Sequence, residues 1–185
     1  MPSANKTQYA ILGMLSFGPR SGYDIKKIID RSLRFFWSEN YGHIYPILKR
    51  LEKRRWVRRQ AAAPTGRRKR NVFALAPAGR AELRAWLAKP AADLPVRNEM
   101  VLKLFFGRQM GRRTALSLLA AEEKRNAERL AQLERIEKEI SRREAPDLPY
   151  WLATLRLGIA VTRTFRGWCR DTAGRFGSLK SGRRA

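Results

Sequence analysis

A single cysteine, Cys169, rules out an intrachain disulfide, a CxxC redox pair and a thiolate metal cluster. A single histidine, His43, likewise leaves no His-based metal site and no serine–histidine–acid triad. Acids are scarce, 16 Asp and Glu against 40 Lys and Arg. Those present fall mostly at periodic helical positions, such as Glu122, Glu123, Glu128, Glu134, Glu137 and Glu139. No nucleophile–base pair and no glycine-rich phosphate loop stands in the chain, so neither an enzyme nor a cofactor is expected. No run approaches the ~18 apolar residues needed to cross a bilayer. The polar start Met1–Thr7 and the short apolar stretch ending at Gly18-Pro19 do not make a secretory signal. These absences predict a soluble cytoplasmic protein in a reducing compartment, with no internal repeat.

What abounds is positive charge. The formal net charge is +24 and the pI about 11.5, a field that draws a polyanion. Hydrophobic residues at 44% and aromatics at 10% suffice for a packed core. The basic excess therefore sits on a folded protein.

Helical periodicity opens the chain. Tyr9, Ile11, Leu12, Met14, Leu15 and Phe17 predict a buried helix over Thr7–Phe17, stopped by Gly18-Pro19. Ser21 is placed to cap a second helix to about Ser32, with Tyr23, Ile25, Ile28, Ile29 and Leu33 at helical spacing. Phe35, Phe36 and Trp37 read as a core connector. A third helix starts near Ser38 or Asn40 and runs to about Arg54, with Ile44, Ile47, Leu48 and Leu51 along one face. Pro46 lacks a backbone donor and crowds the carbonyl of Gly42, so this helix is expected to bend or start late.

The period then changes from 3.6 to 2. Trp56–Gln60 and Asn71–Leu75 predict a hairpin turned at Pro64-Thr65-Gly66. Pro77 begins another helix to about Ala88, carrying Leu83, Trp86 and Leu87. Prolines 90 and 95 mark a linker over 90–96. Beyond it, helices are predicted over Glu99–Met110, Arg112–Arg143 and about Tyr150–Ala173. The long helix is near-heptad but interrupted by Glu123 and Glu137, which favours a small bundle over a strict coiled coil. The expected domains are thus 1–89, DNA-binding; 97–174, helical dimerisation; and 175–185, a basic disordered tail.

Three helices, a basic two-stranded hairpin and a further helix make the layout of a winged helix-turn-helix. The overall class is mainly α, with a two-stranded β wing and an α-helical C-terminal domain. The third helix splits as a groove reader must. Its apolar face docks inward, leaving Ser38, Asn40, Tyr41, His43, Lys49 and Arg50 for bases and phosphates. From Lys53 to Arg70 the chain has nine basic residues and no acid. The tip, Arg67, Arg68, Lys69 and Arg70, is the expected backbone contact, whereas Arg54, Arg55, Arg58 and Arg59 are either contacts or structural. Tyr23 and Tyr45 are either half-buried core tyrosines or phosphate contacts. His43 is a contact or an exposed helix residue. Cys169 reads as a small core residue rather than a sensor thiol. Phe105, Phe106, Trp151, Leu155 and Trp168 line an effector pocket or form a dimer core.

Ala10-Ile11-Leu12-Gly13-Met14-Leu15, Gly18-Pro19 and Ser21-Gly22-Tyr23-Asp24-Ile25 resemble the opening of PadR-family transcriptional regulators. Gly42-His43-Ile44-Tyr45-Pro46, Leu48–Lys53, and Leu75 with Gly79-Arg80, Leu83 and Trp86-Leu87 continue the likeness over about 8–88. Arg97-Asn98-Glu99 with Leu102–Phe106 resembles the longer helical C-terminal region of one branch. The resemblance implies homodimers on palindromic operators and, in many members, repression relieved by a small aromatic or hydrophobic effector. The competing expectation is a nucleoid-type or RNA-binding protein that uses charge without base readout. A membrane partner is not expected, because the basic cluster lies on a hairpin rather than an amphipathic helix. Two positions depart from the family pattern. Arg55 stands where glycine usually turns the reader into the wing, and Ala76 stands where threonine usually caps the next helix.

Overall fold

The computed structural model describes residues 6–33, 36–37, 41–60, 71–92 and 98–178. The chain divides into two compact units, Met1–Asp93 and Leu94–Ala185. The first contains α1 (Thr7–Ser16), β1 (Arg20–Ser21), α2 (Gly22–Ser32), α3 (Tyr41–Lys53), β2 (Val57–Gln60), β3 (Val72–Leu75) and α4 (Pro77–Leu87). The second contains α5 (Glu99–Phe105), α6 (Gly107–Met110), α7 (Arg112–Ile140) and α8 (Leu148–Ser178).

In the first unit, Ile11, Leu12, Leu15, Ile25, Ile29, Ile44, Leu48 and Leu51 are almost wholly buried in one core. Burying each such side chain contributes about 1.5–3 kcal/mol before chain entropy is set against it. Tyr9 joins α1 to α4: its ring stacks on Trp86 at 4.5 Å and 6°, and its hydroxyl donates to Glu82 at 2.9 Å. The Ser21 hydroxyl accepts from the Asp24 backbone N–H at 3.2 Å, which is the expected cap of α2.

Three details differ from the sequence expectation. The sheet has three strands, in the order β1-β3-β2. Arg20 and Ser21, just past the Gly18-Pro19 stop, pair antiparallel with Phe73 and Val72. Phe17 and Phe36 are exposed rather than core. Tyr23 also points outward, so the buried stripe of α2 is Gly22, Ile25, Lys26 and Ile29. Lys26 pairs with Asp30 in that position.

The two departures from the family pattern have visible consequences. Arg55 adopts φ +58°, the left-handed conformation that favours glycine. Its N–H donates to the Glu52 carbonyl and that of Trp56 to the Leu51 carbonyl, both at 2.9 Å, closing the C-terminus of α3. Ala76 has the extended backbone of an N-cap but no side chain to bond the first turn of α4. Arg55→Gly and Ala76→Thr are each expected to raise stability by about 1 kcal/mol. Urea denaturation checks both, and an unmoved midpoint would reject the corresponding assignment.

In the second unit α7 and α8 lie antiparallel, with Ala115, Leu119, Leu130 and Leu133 packed toward Ile159, Thr162 and Cys169. Ion pairs Arg156–Glu137 (2.7 Å), Arg163–Glu134 (2.8 Å) and Arg166–Glu123 (2.7 Å) tie the two helices together. Thus Glu123 and Glu137, which interrupt the heptad, pair with the neighbouring helix. The expected single helix over Glu99–Met110 breaks at Phe106 into α5 and α6. The last helix is longer than predicted at both ends. Pro149 fits in its first turn, where the missing N–H would have no helical acceptor. At the far end Ala173 and Phe176 pack against Met100, Leu119 and Cys169, so residues 174–178 are helical and not tail. Residues 179–185 lie outside the described residues.

Candidate nucleic-acid interface

The third helix presents two chemically distinct faces. Ile44, Ile47, Leu48 and Leu51 are at most 2% exposed. On the other side Gly42, His43, Tyr45, Pro46, Lys49, Arg50 and Lys53 are all exposed. Helical spacing at i, i+3, i+4 and i+7 produces this partition, and packing on α1 and α2 fixes which side faces out. Pro46 lies inside α3, which begins at Tyr41. The proline is on the solvent side, so its ring meets no core.

Tyr45 and Tyr23 are each about half exposed, 47% and 48%. Gly22 sets the position of Tyr45. A Cβ on that glycine would lie 3.0 Å from the tyrosine ring and 3.2 Å from Leu48 Cδ1, so a side chain there would require the ring to give by a few tenths of an ångström. Sequence reasoning missed this coupling, because a glycine at the start of a helix carries no signal of what leans on it. Ser38, Asn40, Arg67, Arg68, Lys69 and Arg70 lie outside the described residues, as does the side chain of Tyr41.

The base of the wing separates structural arginines from available ones. Arg59 pairs with Glu52 at 3.2 Å and lies 5.7 Å from the centre of the Phe73 ring. Arg54 lies 5.1 Å from the Trp56 ring. Both cations cover apolar surface while keeping a charged end wet. Arg58 is exposed on β2 opposite Ala74. Exposed cations of this unit thus include Lys49, Arg50 and Lys53 on the helix and Arg58 on the strand. Groups of this kind are suited to phosphates, and a polar helix face to base edges.

The residues proposed for an effector pocket or dimer core do not converge on an enclosed cavity among the described residues. Phe105 and Phe106 are 82% and 56% exposed and meet edge to face at 5.2 Å. Trp168 is exposed, stacks on Phe165 at 5.3 Å and lines an open depression of α8 with Arg163 and Asp171. Trp151 and Leu155 are half-buried. Cys169 is fully buried; burial first, then nearby Glu122 and Glu123, raises its thiol above the usual range. It therefore stays protonated and poorly nucleophilic at neutral pH. Native protein at pH 7.5 is expected to leave Cys169 unlabelled by Ellman's reagent over minutes, with full reaction in urea. Rapid native labelling would contradict the core role. No group of His, Cys and acid residues among the described residues is arranged to hold a metal. Nor is any described helix long and apolar enough to cross a membrane.

Comparison with known proteins bears on both units. Residues 11–85 match the Transcriptional regulator PadR-like family, and 96–176 match the family described as Virulence activator alpha C-term. The "Negative transcriptional regulator PadR" of Bacillus subtilis is 30% identical over 129 residues, covering 69% of this chain and 70% of that protein. The "Probable transcriptional regulator Rv1176c" of Mycobacterium tuberculosis is 38% identical over 82 residues, 44% of this chain and 43% of that protein, so less than half of that relative is spanned. Among solved structures, Bacillus subtilis PadR in complex with operator DNA superposes with a TM-score of 0.83 at 25% identity, covering 92% of this chain and 98% of that one. The same protein in complex with p-coumaric acid gives 0.76 at 26% identity, covering 92% and 98%.

Proposed function

Because this chain belongs to the PadR-like family and is a transcriptional regulator rather than an enzyme, we propose that it represses transcription as a homodimer on a palindromic operator. The partition of α3 carries this reading. Four aliphatic side chains anchor the helix, and His43, Tyr45, Lys49 and Arg50 are exposed on the side that would enter a major groove. Ser38, Asn40, Tyr41 and Tyr23 extend the contact, and Arg67, Arg68, Lys69 and Arg70 grip the adjoining backbone.

Dimerisation through the helical unit is supported by apolar surface left uncovered in the single chain. Val101, Leu102, Phe105 and Phe106 are exposed around α5, and Tyr150, Leu157, Val161 and Trp168 along α8. Large apolar side chains left exposed in such number are suited to association. A small aromatic effector bound beside Trp168 would release the operator by favouring a second dimer geometry. The operator and p-coumaric acid bound by the Bacillus subtilis relative support both ligand classes. The working place of such a protein is the nucleoid.

Selection of bound fragments from a random duplex library tests the proposal. A palindromic consensus is expected, with half-sites about 34 Å or a multiple apart and a preference of at least ~10³ over random duplex. Recovery of fragments without a consensus would replace operator recognition by charge-driven binding alone.

A further inference from the structure

Among the arginines of the helical unit, Arg125, Arg156, Arg163 and Arg166 are each engaged with a glutamate. Arg108, Arg113, Arg135, Arg142, Arg143, Arg170 and Arg175 are exposed, and none forms an ion pair among the described residues. Arg135, Arg142 and Arg143 stand among acids at the far end of the α7–α8 hairpin, whereas Arg108, Arg113, Arg170 and Arg175 belong to the other end, where acids are scarce. Antiparallel packing brings the start of α7 beside the end of α8, and the Arg112 guanidinium donates to the Gly177 carbonyl across that junction.

The charge of the hairpin is correspondingly lopsided. Segments 105–118 and 167–178 contain five arginines and one acid, Asp171. The opposite end, 134–156, has five bases against five acids. Helix stability does not call for this arrangement. Arg112 and Arg113 occupy the first turn of α7, where positive charge opposes the helix dipole and no acid is present. Exposed guanidinium groups without internal partners are suited to phosphate oxygens, which accept in a bidentate fork.

We propose that this end of the helical unit is a second DNA-backbone surface, separate from the reader and wing, that holds duplex without reading its sequence. The inference rests on the DNA-binding reading above. Double-stranded DNA is favoured over RNA because the same chain carries the proposed groove reader.

Full-length wild type, R108Q/R113Q/R170Q/R175Q, R113Q/R175Q and K49A/R50A are compared by fluorescence anisotropy on a 60-bp duplex of random sequence and a 60-nucleotide single-stranded RNA. Log affinity is followed against log salt. The quadruple variant is expected to lose about 3–4 from the salt slope per protomer and at least tenfold in duplex affinity at 100 mM salt, with the double variant near half that slope change. Glutamine is a good helix former and all four sites are exposed, so the circular dichroism melt should match wild type. An unchanged duplex slope in both variants overturns the second surface. So does a loss confined to RNA. The K49A/R50A protein reports on the reader separately: wild-type duplex binding there would count against the operator reading while leaving the quadruple result interpretable.

Discussion

Replacing Gly79 with alanine is expected to lower the melting temperature of the N-terminal unit by about 12–24 °C. A Cβ at this position would lie 2.1 Å from the Trp56 carbonyl oxygen and 2.9 Å from its carbon. Both are backbone atoms, and that oxygen already accepts from the Ala76 N–H at 2.9 Å. No rotamer change relieves such a clash. Either α4 or the start of the wing must shift, breaking the Tyr9–Trp86 stack or the β2–β3 pairing. Overpacking of this kind costs typically 1–3 kcal/mol and sometimes more. With no side chain to yield, we expect about 3 kcal/mol, at roughly 4–8 °C per kcal/mol for a unit of this size. The sign is diagnostic, since helix propensity alone predicts that glycine to alanine stabilises by about 1 kcal/mol. Gly13, in α1, supplies the control: nothing lies within 4 Å of its added Cβ, and Gly13→Ala should raise the melting temperature. Calorimetry of the two variants checks the pair. Equal shifts would refute the close approach.

Removing both cations from the exposed face of α3 is expected to reduce operator affinity by about three orders of magnitude at 100 mM salt. Lys49 and Arg50 are exposed on the side opposite Leu48 and Leu51, and neither belongs to an ion pair among the described residues. If the protein binds as the proposed dimer, K49A/R50A removes four positive charges. If each neutralises one phosphate, the slope of log affinity against log salt falls by about 3–4. Stability should change by less than about 0.5 kcal/mol, because both side chains are exposed. Arg59→Gln provides a contrast. That guanidinium is engaged with Glu52 and the Phe73 ring, so the substitution should shift the salt slope less than either α3 change. Titration of a selected operator fragment at several salt concentrations measures both. An intact slope in K49A/R50A would remove α3 from the interface.

Much of this was legible before any coordinates. Ile44, Ile47, Leu48 and Leu51 identify their shared face by spacing alone, and all four are buried. Ser21 announces its helix because a hydroxyl before an apolar-periodic run has a backbone N–H to satisfy. The strain at Arg55 was visible as a departure from a glycine pattern, and φ +58° accords with it. Other features had no local signal. The two-residue strand Arg20–Ser21 is too short to show a period and exists only because β3 offers it an edge. Residues 174–178 include Gly174 and Gly177 and look like tail. Burial of Ala173 and Phe176 against α5 and α7 outweighs the roughly 1 kcal/mol each glycine costs a helix. The exposure of Phe17 and Phe36 also escaped notice, since composition cannot distinguish an aromatic that packs from one left outside.

Trp56 deserves a final consequence. Its N–H closes α3, its carbonyl receives Ala76 at the entrance to α4, and its ring carries Arg54. Three segments therefore meet at one residue, with no slack between the groove helix and the ribbon that follows. If this unit docks on duplex as proposed, so close a coupling would leave mismatched sites to deform, and sequence-dependent DNA pliability would become part of what is distinguished.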